Sequence, residues 1–154
     1  MKKILTLLLI ICTLGLTAQQ KEITWLTDVE EAIKISLRTE KPLLLFFTGK
    51  DWCGPCKMTA KYVFESQEFA KWSNNFVLVE LDFPRGPKRA EIPAQHIEIA
   101  QQLQVRSYPT IYFVTTTLED GQTKLNALQP IVGGSRDAKS WISRADQILK
   151  TIKN

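Results

Sequence analysis

The chain holds 154 residues, 44% of them apolar and 23% charged, with three cysteines and a formal net charge of +4. That is enough for one domain with its own core, which needs neither a disulfide staple nor a metal. The charge balance gives no reason to invoke nucleic acid or an anionic membrane surface as a partner.

The N-terminus differs from the rest. Lys2 and Lys3 precede an almost wholly apolar run, Ile4 to Leu16, and Leu16-Thr17-Ala18 leads into the polar Gln19-Gln20. This is the pattern of a secretory signal peptide over residues 1–18, with cleavage after Ala18 and a mature domain over residues 19–154. The run is short for a membrane span, which takes about 20 residues. Retention as an uncleaved anchor is the alternative. Cys12 reads as a small apolar residue of this segment, since the bulky Ile11 before it does not suit lipid attachment. Cleavage removes Lys2 and Lys3 and leaves 18 basic against 16 acidic residues, a net charge of +2.

In chain order, Asp28 with Glu31 predicts a capped helix start, and Val29, Ala32, Ile33 and Leu37 fall at helical spacing. Pro42 ends that helix near Glu40-Lys41. Leu43 to Phe47 predicts a strand buried on both faces. Thr48 to Asp51 is a loop. A helix follows Cys53 to about Glu65, and Ser66 restarts a short one through Phe69 and Trp72. Phe76 to Phe83 is a second strand, and Pro84 to Pro93 a loop whose Arg85, Lys88 and Arg89 are expected to be solvated, with contact to an acidic partner as the alternative. Ala94 to Leu103 predicts a helix with Ile97, Ala100 and Leu103 on its apolar stripe. Thr110 to Thr116 is a third strand, with Lys124–Leu128 pairing back as a hairpin. After Gly133-Gly134, Ser135 is expected to cap a last helix carrying Trp141, Ile142, Ala145, Ile148, Leu149 and Ile152. Strands alternating with helices imply an α/β fold with parallel pairing, and the late hairpin adds an antiparallel edge.

Without residues 1–18, Cys53 and Cys56 are the only cysteines. A bond across so short a span closes almost no loop and contributes little to stability, so the pair makes sense as chemistry. At a helix N-terminus, free backbone N–H groups and the helix dipole favour the Cys53 thiolate, the attacking species in disulfide exchange. Cys56, one turn further in and more buried, suits resolution of a mixed disulfide. Pro55 fits the first helical turn, and Gly54 permits close approach by a partner backbone. A zinc site would need more ligands. His96 is the remaining candidate and is expected on a helix surface, so no metal and no cofactor are expected.

Trp52-Cys53-Gly54-Pro55-Cys56-Lys57, following a hydrophobic strand, resembles the active-site segment of thioredoxins. Ser107-Tyr108-Pro109-Thr110 resembles the family's segment with a cis proline facing the cysteines, and Gly133-Gly134 its glycine region after the last strand. The resemblance covers roughly residues 25–152. It implies the thioredoxin fold, a central mixed β-sheet flanked by helices on both faces. It also implies Cys53 as nucleophile, Cys56 as resolving thiol and Pro109 in cis, with Trp52 and Tyr108 in the substrate-facing surface. Thioredoxins carry a buried Asp in the strand before the motif that assists proton transfer. Here the candidate positions hold Phe46 and Phe47. Lys50-Asp51 lengthens the loop by one residue, and Asp51 reads as solvated.

The implied activity is thiol–disulfide exchange with protein disulfides or dithiols, by a monomer. The Gly-Pro pair is that of the family's reducing members. An oxidase or isomerase of the same fold, and a non-catalytic binding or chaperone module, remain alternatives. Sustained reduction in an oxidising compartment requires an electron donor, expected to be a membrane thiol relay.

Overall fold

The computed structural model describes residues 23–152. The signal-peptide reading of residues 1–18 lies outside the described residues. Among those described, no helix is long and apolar enough to cross a membrane.

Strand β1 (Leu43–Thr48) is the centre of the fold and is buried along its whole length. It pairs in parallel with β2 (Val77–Asp82), Leu43 opposite Val77, and antiparallel with β3 (Thr110–Glu119), Phe47 opposite Thr110. An unbroken apolar run suits such a strand, because both its edges are hydrogen-bonded and both its faces are covered. The N-terminal half of β3 serves β1. Its C-terminal half runs on and pairs with β4 (Gln122–Ala127), while the short β5 (Ile131–Val132) pairs with Thr110 and Ile111. The sheet order is β2-β1-β3-β4. The outer edge of β2 is covered locally by Leu26, which bridges to Val79.

Alternation along the strands sends side chains to two different layers. Leu44, Phe46, Leu78, Ile111 and Phe113 face one side, where both cysteines and Trp141 are buried. Leu43, Leu45, Phe47, Val77, Val79, Leu81 and Val114 face the other. On the second side lie helix α1 (Val29–Thr39) and, further along the chain, α4 (Ala94–Gln102). On the first lie α2 (Gly54–Thr59), which widens into a π turn over Ala60–Phe64, α3 (Gln67–Trp72) and α5 (Ala138–Leu149). This is the thioredoxin fold expected from the resemblance.

Helix ends follow the expected chemistry in two cases. Asp28 Oδ1 accepts from the Glu31 backbone N–H at 3.0 Å, and Ser66 Oγ from that of Phe69 at 3.1 Å. Helix α1 stops at Thr39 because Glu40 turns into the left-handed region, φ 57°, ahead of Pro42.

Several expectations are corrected. Asp137, not Ser135, caps α5: its side chain accepts from the Ser140 N–H, while Ser135 donates its own backbone N–H elsewhere. The Pro84–Pro93 segment contains a 3₁₀ turn, Gly86–Glu91. In α4 the inward stripe is His96, Ile99 and Ala100, whereas Ile97 is 41% exposed. His96 is therefore buried and not on the helix surface. Its Nε2 donates to the Thr27 carbonyl at 2.8 Å, which turns the helix one position from the phase expected of its apolar residues.

Candidate functional site

The site is built at the end of the sheet where β1 leaves for α2. Gly49 accepts from the backbone N–H groups of Trp52 (3.2 Å) and Cys53 (2.8 Å), which closes the turn. A Cβ on Gly49 would lie 2.4 Å from the Trp52 ring, so only glycine lets the indole fold over this turn. The indole N–H donates to the Phe83 carbonyl at 2.8 Å, fixing the ring between β1 and β2.

Cys53 is the N-cap of α2, with Gly54 and Pro55 in the first turn. Its Sγ is disulfide-bonded to Cys56 and also accepts from the Cys56 backbone N–H at 3.2 Å. Pro at this position costs no hydrogen bond, since the first N–H groups of a helix have no partner within it. Cys53 is 2% exposed and Cys56 1%, so in the disulfide state burial does not separate the two sulfurs. Gly54 and Pro55 are exposed above them.

The Tyr108–Pro109 peptide bond is cis. Pro109 is buried, and its carbonyl accepts from Gly133 N–H at 3.0 Å. The ring of Tyr108 meets Trp52 edge-on at 5.5 Å and leans on Phe83 at 5.4 Å. Burial pushes the Tyr108 hydroxyl above its ordinary pKa of 10.0, and the charge of Arg89 pulls the other way. Trp52, Gly54, Pro55, Tyr108 and Pro109 thus lie at one end of the sheet with the cysteines.

Three residues take part in ways the sequence did not reveal. Thr59, fully buried, donates its hydroxyl to the Pro55 carbonyl (3.2 Å) and accepts from the Ser135 backbone N–H (3.0 Å). Gly134 packs so closely on Pro55 that a Cβ would stand 2.9 Å from the Pro55 carbonyl oxygen. With the Gly133–Pro109 bond, this chain of contacts locks the segment after β5 onto the cysteine helix. The Gly133-Gly134 pair was a weak signal for it; Thr59 gave none. Phe83 is the third, a shared support for Trp52 and Tyr108.

Of the two positions considered for a buried acid, Phe46 packs in the layer that holds the cysteines and Phe47 in the opposite one. Phe46 is 2% exposed and rests edge-on against Phe64 at 4.9 Å. Asp51 is exposed, and its Oδ2 accepts from the Arg85 backbone N–H at 3.2 Å. Lys50 Nζ pairs with Glu80 at 2.7 Å.

Comparison with known proteins agrees with this fold. A family model described as thioredoxin-like matches residues 24–116. The chain is 34% identical over 122 residues to a Chlamydia pneumoniae protein named disulfide bond reductase DsbH, covering 78% of this chain and 69% of that one. It is 34% identical over 95 residues to the thioredoxin-related protein DsbJ of Chlamydia pneumoniae, covering 60% of this chain but only 27% of that protein. A solved structure of a DsbH oxidoreductase superposes with a TM-score of 0.63 at 23% identity, over 88% of this chain and 90% of that one. At that identity the superposition speaks for the fold alone.

Proposed function

This chain belongs to the thioredoxin-like family and carries a thiol–disulfide oxidoreductase's cysteine pair, and on that premise we propose that it reduces protein disulfides outside the cytoplasm. The observation that carries the reading is the Cys53–Cys56 pair at the N-terminus of α2, beside the cis Tyr108–Pro109 segment. The name of the DsbH relative and the Gly-Pro between the cysteines support the reductive direction.

In the reduced protein the Cys53 thiolate attacks one sulfur of a substrate disulfide. A Cys53–substrate disulfide forms, and the other substrate sulfur leaves as a thiolate that takes up a proton. Cys56 then loses its proton and attacks Cys53 Sγ, releasing the second substrate thiol. Two electrons have passed to the substrate, and the protein is left as the Cys53–Cys56 disulfide, the state of the present structure.

Each residue has a physical task. The free N–H groups of the first turn of α2 stabilise the negative sulfur of Cys53. Gly54, without a side chain, leaves the approach to the sulfurs open: nothing lies within 4 Å of where its Cβ would be. Tyr108 and Pro109 offer an extended backbone to the substrate segment, and Trp52 walls one side. Residues 1–18 direct export and are removed, and the monomeric domain is re-reduced by a dithiol donor, a thiol relay in the membrane. With Phe46 buried in the layer of the cysteines, deprotonation of Cys56 relies on solvent or on the departing substrate thiolate.

Equilibration with glutathione redox buffers tests the direction. A reductase holds a potential near the thioredoxin end of the family, about −270 mV, while a value near about −120 mV makes the protein an oxidase. Alkylation of the reduced protein at neutral pH tests the roles. Rapid labelling of Cys53 alone is expected, and equal slow labelling of both thiols removes the assignment.

A further inference from the structure

Against Trp52 and Tyr108 the surface opens into two adjoining hollows of about 460 and 480 Å³. They share Phe83, Arg89, Ile92, Arg106 and Tyr108, so they form one continuous cleft. The hollow nearer Trp52 adds Arg85; the further one runs on to Gln104. Three arginines therefore line this cleft, and no Asp or Glu does. Among the described residues none of the three has an ion-pair partner. All three are exposed.

We infer that this cleft is a subsite for an acidic, extended stretch of the substrate protein flanking the disulfide to be exchanged. The inference rests on the exchange reading above and adds the substrate's character to it. Uncompensated like charges gathered in a hollow repel one another, and they are relieved when carboxylates enter. Arginine suits this better than lysine, because the planar guanidinium grips a carboxylate through two parallel N–H bonds.

The arginine that sits on Trp52, the neighbour of Cys53 in the chain, is also held in place. Arg85 Cζ stands 3.6 Å from the centre of the Trp52 ring, which is itself fixed by its bond to the Phe83 carbonyl. Its flat face is taken by the indole and its N–H edge is left for a ligand. Asp51 forms no ion pair with its guanidinium: that carboxylate accepts from the Arg85 backbone N–H. Arg89 lines both hollows together with Tyr108, and its charge opposes the effect of burial on the Tyr108 hydroxyl. The two hollows run from Trp52, next to Cys53 in the chain, to Gln104, a path that suits a run of peptide.

The test compares two cyclic disulfide peptides, one with Asp and Glu flanking the bridge and one with Ser and Gln there. At low salt the wild-type kcat/KM is expected to favour the acidic peptide about tenfold, since each exposed charge pair contributes modestly and three act together. The preference should shrink as salt rises from about 20 to 300 mM, where screening shortens to a few ångströms. In R85Q/R89Q/R106Q the ratio should fall to about one, and in the triple lysine variant it should partly return. An unchanged ratio in the glutamine variant overturns the proposal. So does a defect confined to oxidised glutathione, which would assign the cleft to small anionic disulfides. Calorimetry with an acidic peptide lacking cysteine, added to the oxidised protein, separates this proposal from the exchange reading. Binding lost in the glutamine variant upholds the subsite even if no peptide is reduced, and absence of binding to the wild type rejects it even if exchange is fast.

Discussion

The two faces of the sheet are buried equally well and built differently. The face that holds the cysteines is aromatic: all four tryptophans pack in or against it, together with Phe46, Phe64, Phe69 and Phe113. Phe69 alone lies within ring contact of Trp25, Phe64, Trp72 and Trp141. The opposite face is chiefly Leu, Val, Ile and Ala, with Phe47 its fully buried ring. Apart from the two cysteines, no ionisable side chain is buried on this face among the described residues; the buried His96 belongs to α4, across the sheet. The chemistry there is consequently set by backbone N–H groups and by the sulfurs themselves. Tyr108 is the point where the two layers meet, since it packs against both.

The largest expected contrast is functional. C53S should abolish disulfide turnover while the protein stays folded. L45A, on the opposite face, should lose about 2–5 kcal/mol of stability and keep its turnover per folded molecule. Turnover of a small disulfide substrate together with denaturant melts checks both, and residual turnover in C53S would break the separation of the two faces.

Phe69 and Phe47 are both fully buried, so truncating them compares the layers directly. F69A is expected to cost about 3–5 kcal/mol, and F47A about 1 kcal/mol less, because its aromatic partners among the described residues are two, Phe83 and Tyr112, against four for Phe69. Chemical denaturation of the two variants measures the difference, and equal costs would mean that the aromatic layer adds nothing beyond its buried area.

A smaller effect concerns the lock on the cysteine helix. In G134A the new methyl must push against the Pro55 backbone, which is expected to cost about 1–3 kcal/mol and to slow turnover, whereas G54A meets open space and should leave stability within about 1 kcal/mol.

The smallest concerns Tyr108. Its pKa is raised in the folded protein, so the folded state holds the phenolic proton more tightly than the unfolded one. The stabilisation this gives is fully present below the unfolded value near 10 and is lost as pH rises through the folded value. In an R89Q variant the opposing charge is gone and the folded value should move higher still. Ultraviolet titration of the two proteins, with Y108F to identify the signal, reads this directly, and a downward shift in R89Q would reverse the electrostatics described for the site.

Much of the molecule was legible from local spacing. The run Leu43 to Phe47, the short reach from Cys53 to Cys56 and the stripe on α5 are statements about neighbours in the chain, and each determined an element or a pair without reference to distant residues. Where the expectation missed, a distant partner intervened. His96 looked like a surface residue until the Thr27 carbonyl, 69 positions away, turned it inward. Ser135 looked like a cap, but its N–H is engaged by Thr59, 76 positions away, and Asp137 takes the role.

The sequence by itself therefore determined the order of the helices and of four of the five strands, the short β5 having been missed, and the cysteine pair at the head of a helix, because periodicity and turn chemistry act over a few residues. Only the tertiary structure decided that Phe46 and not Phe47 lies in the layer of the cysteines. It alone brought Pro109, Thr59 and Gly134 to one lock, and Arg85, Arg89 and Arg106 to one cleft. Strand register and crossover packing join residues tens of positions apart, and such meetings leave no trace in local spacing.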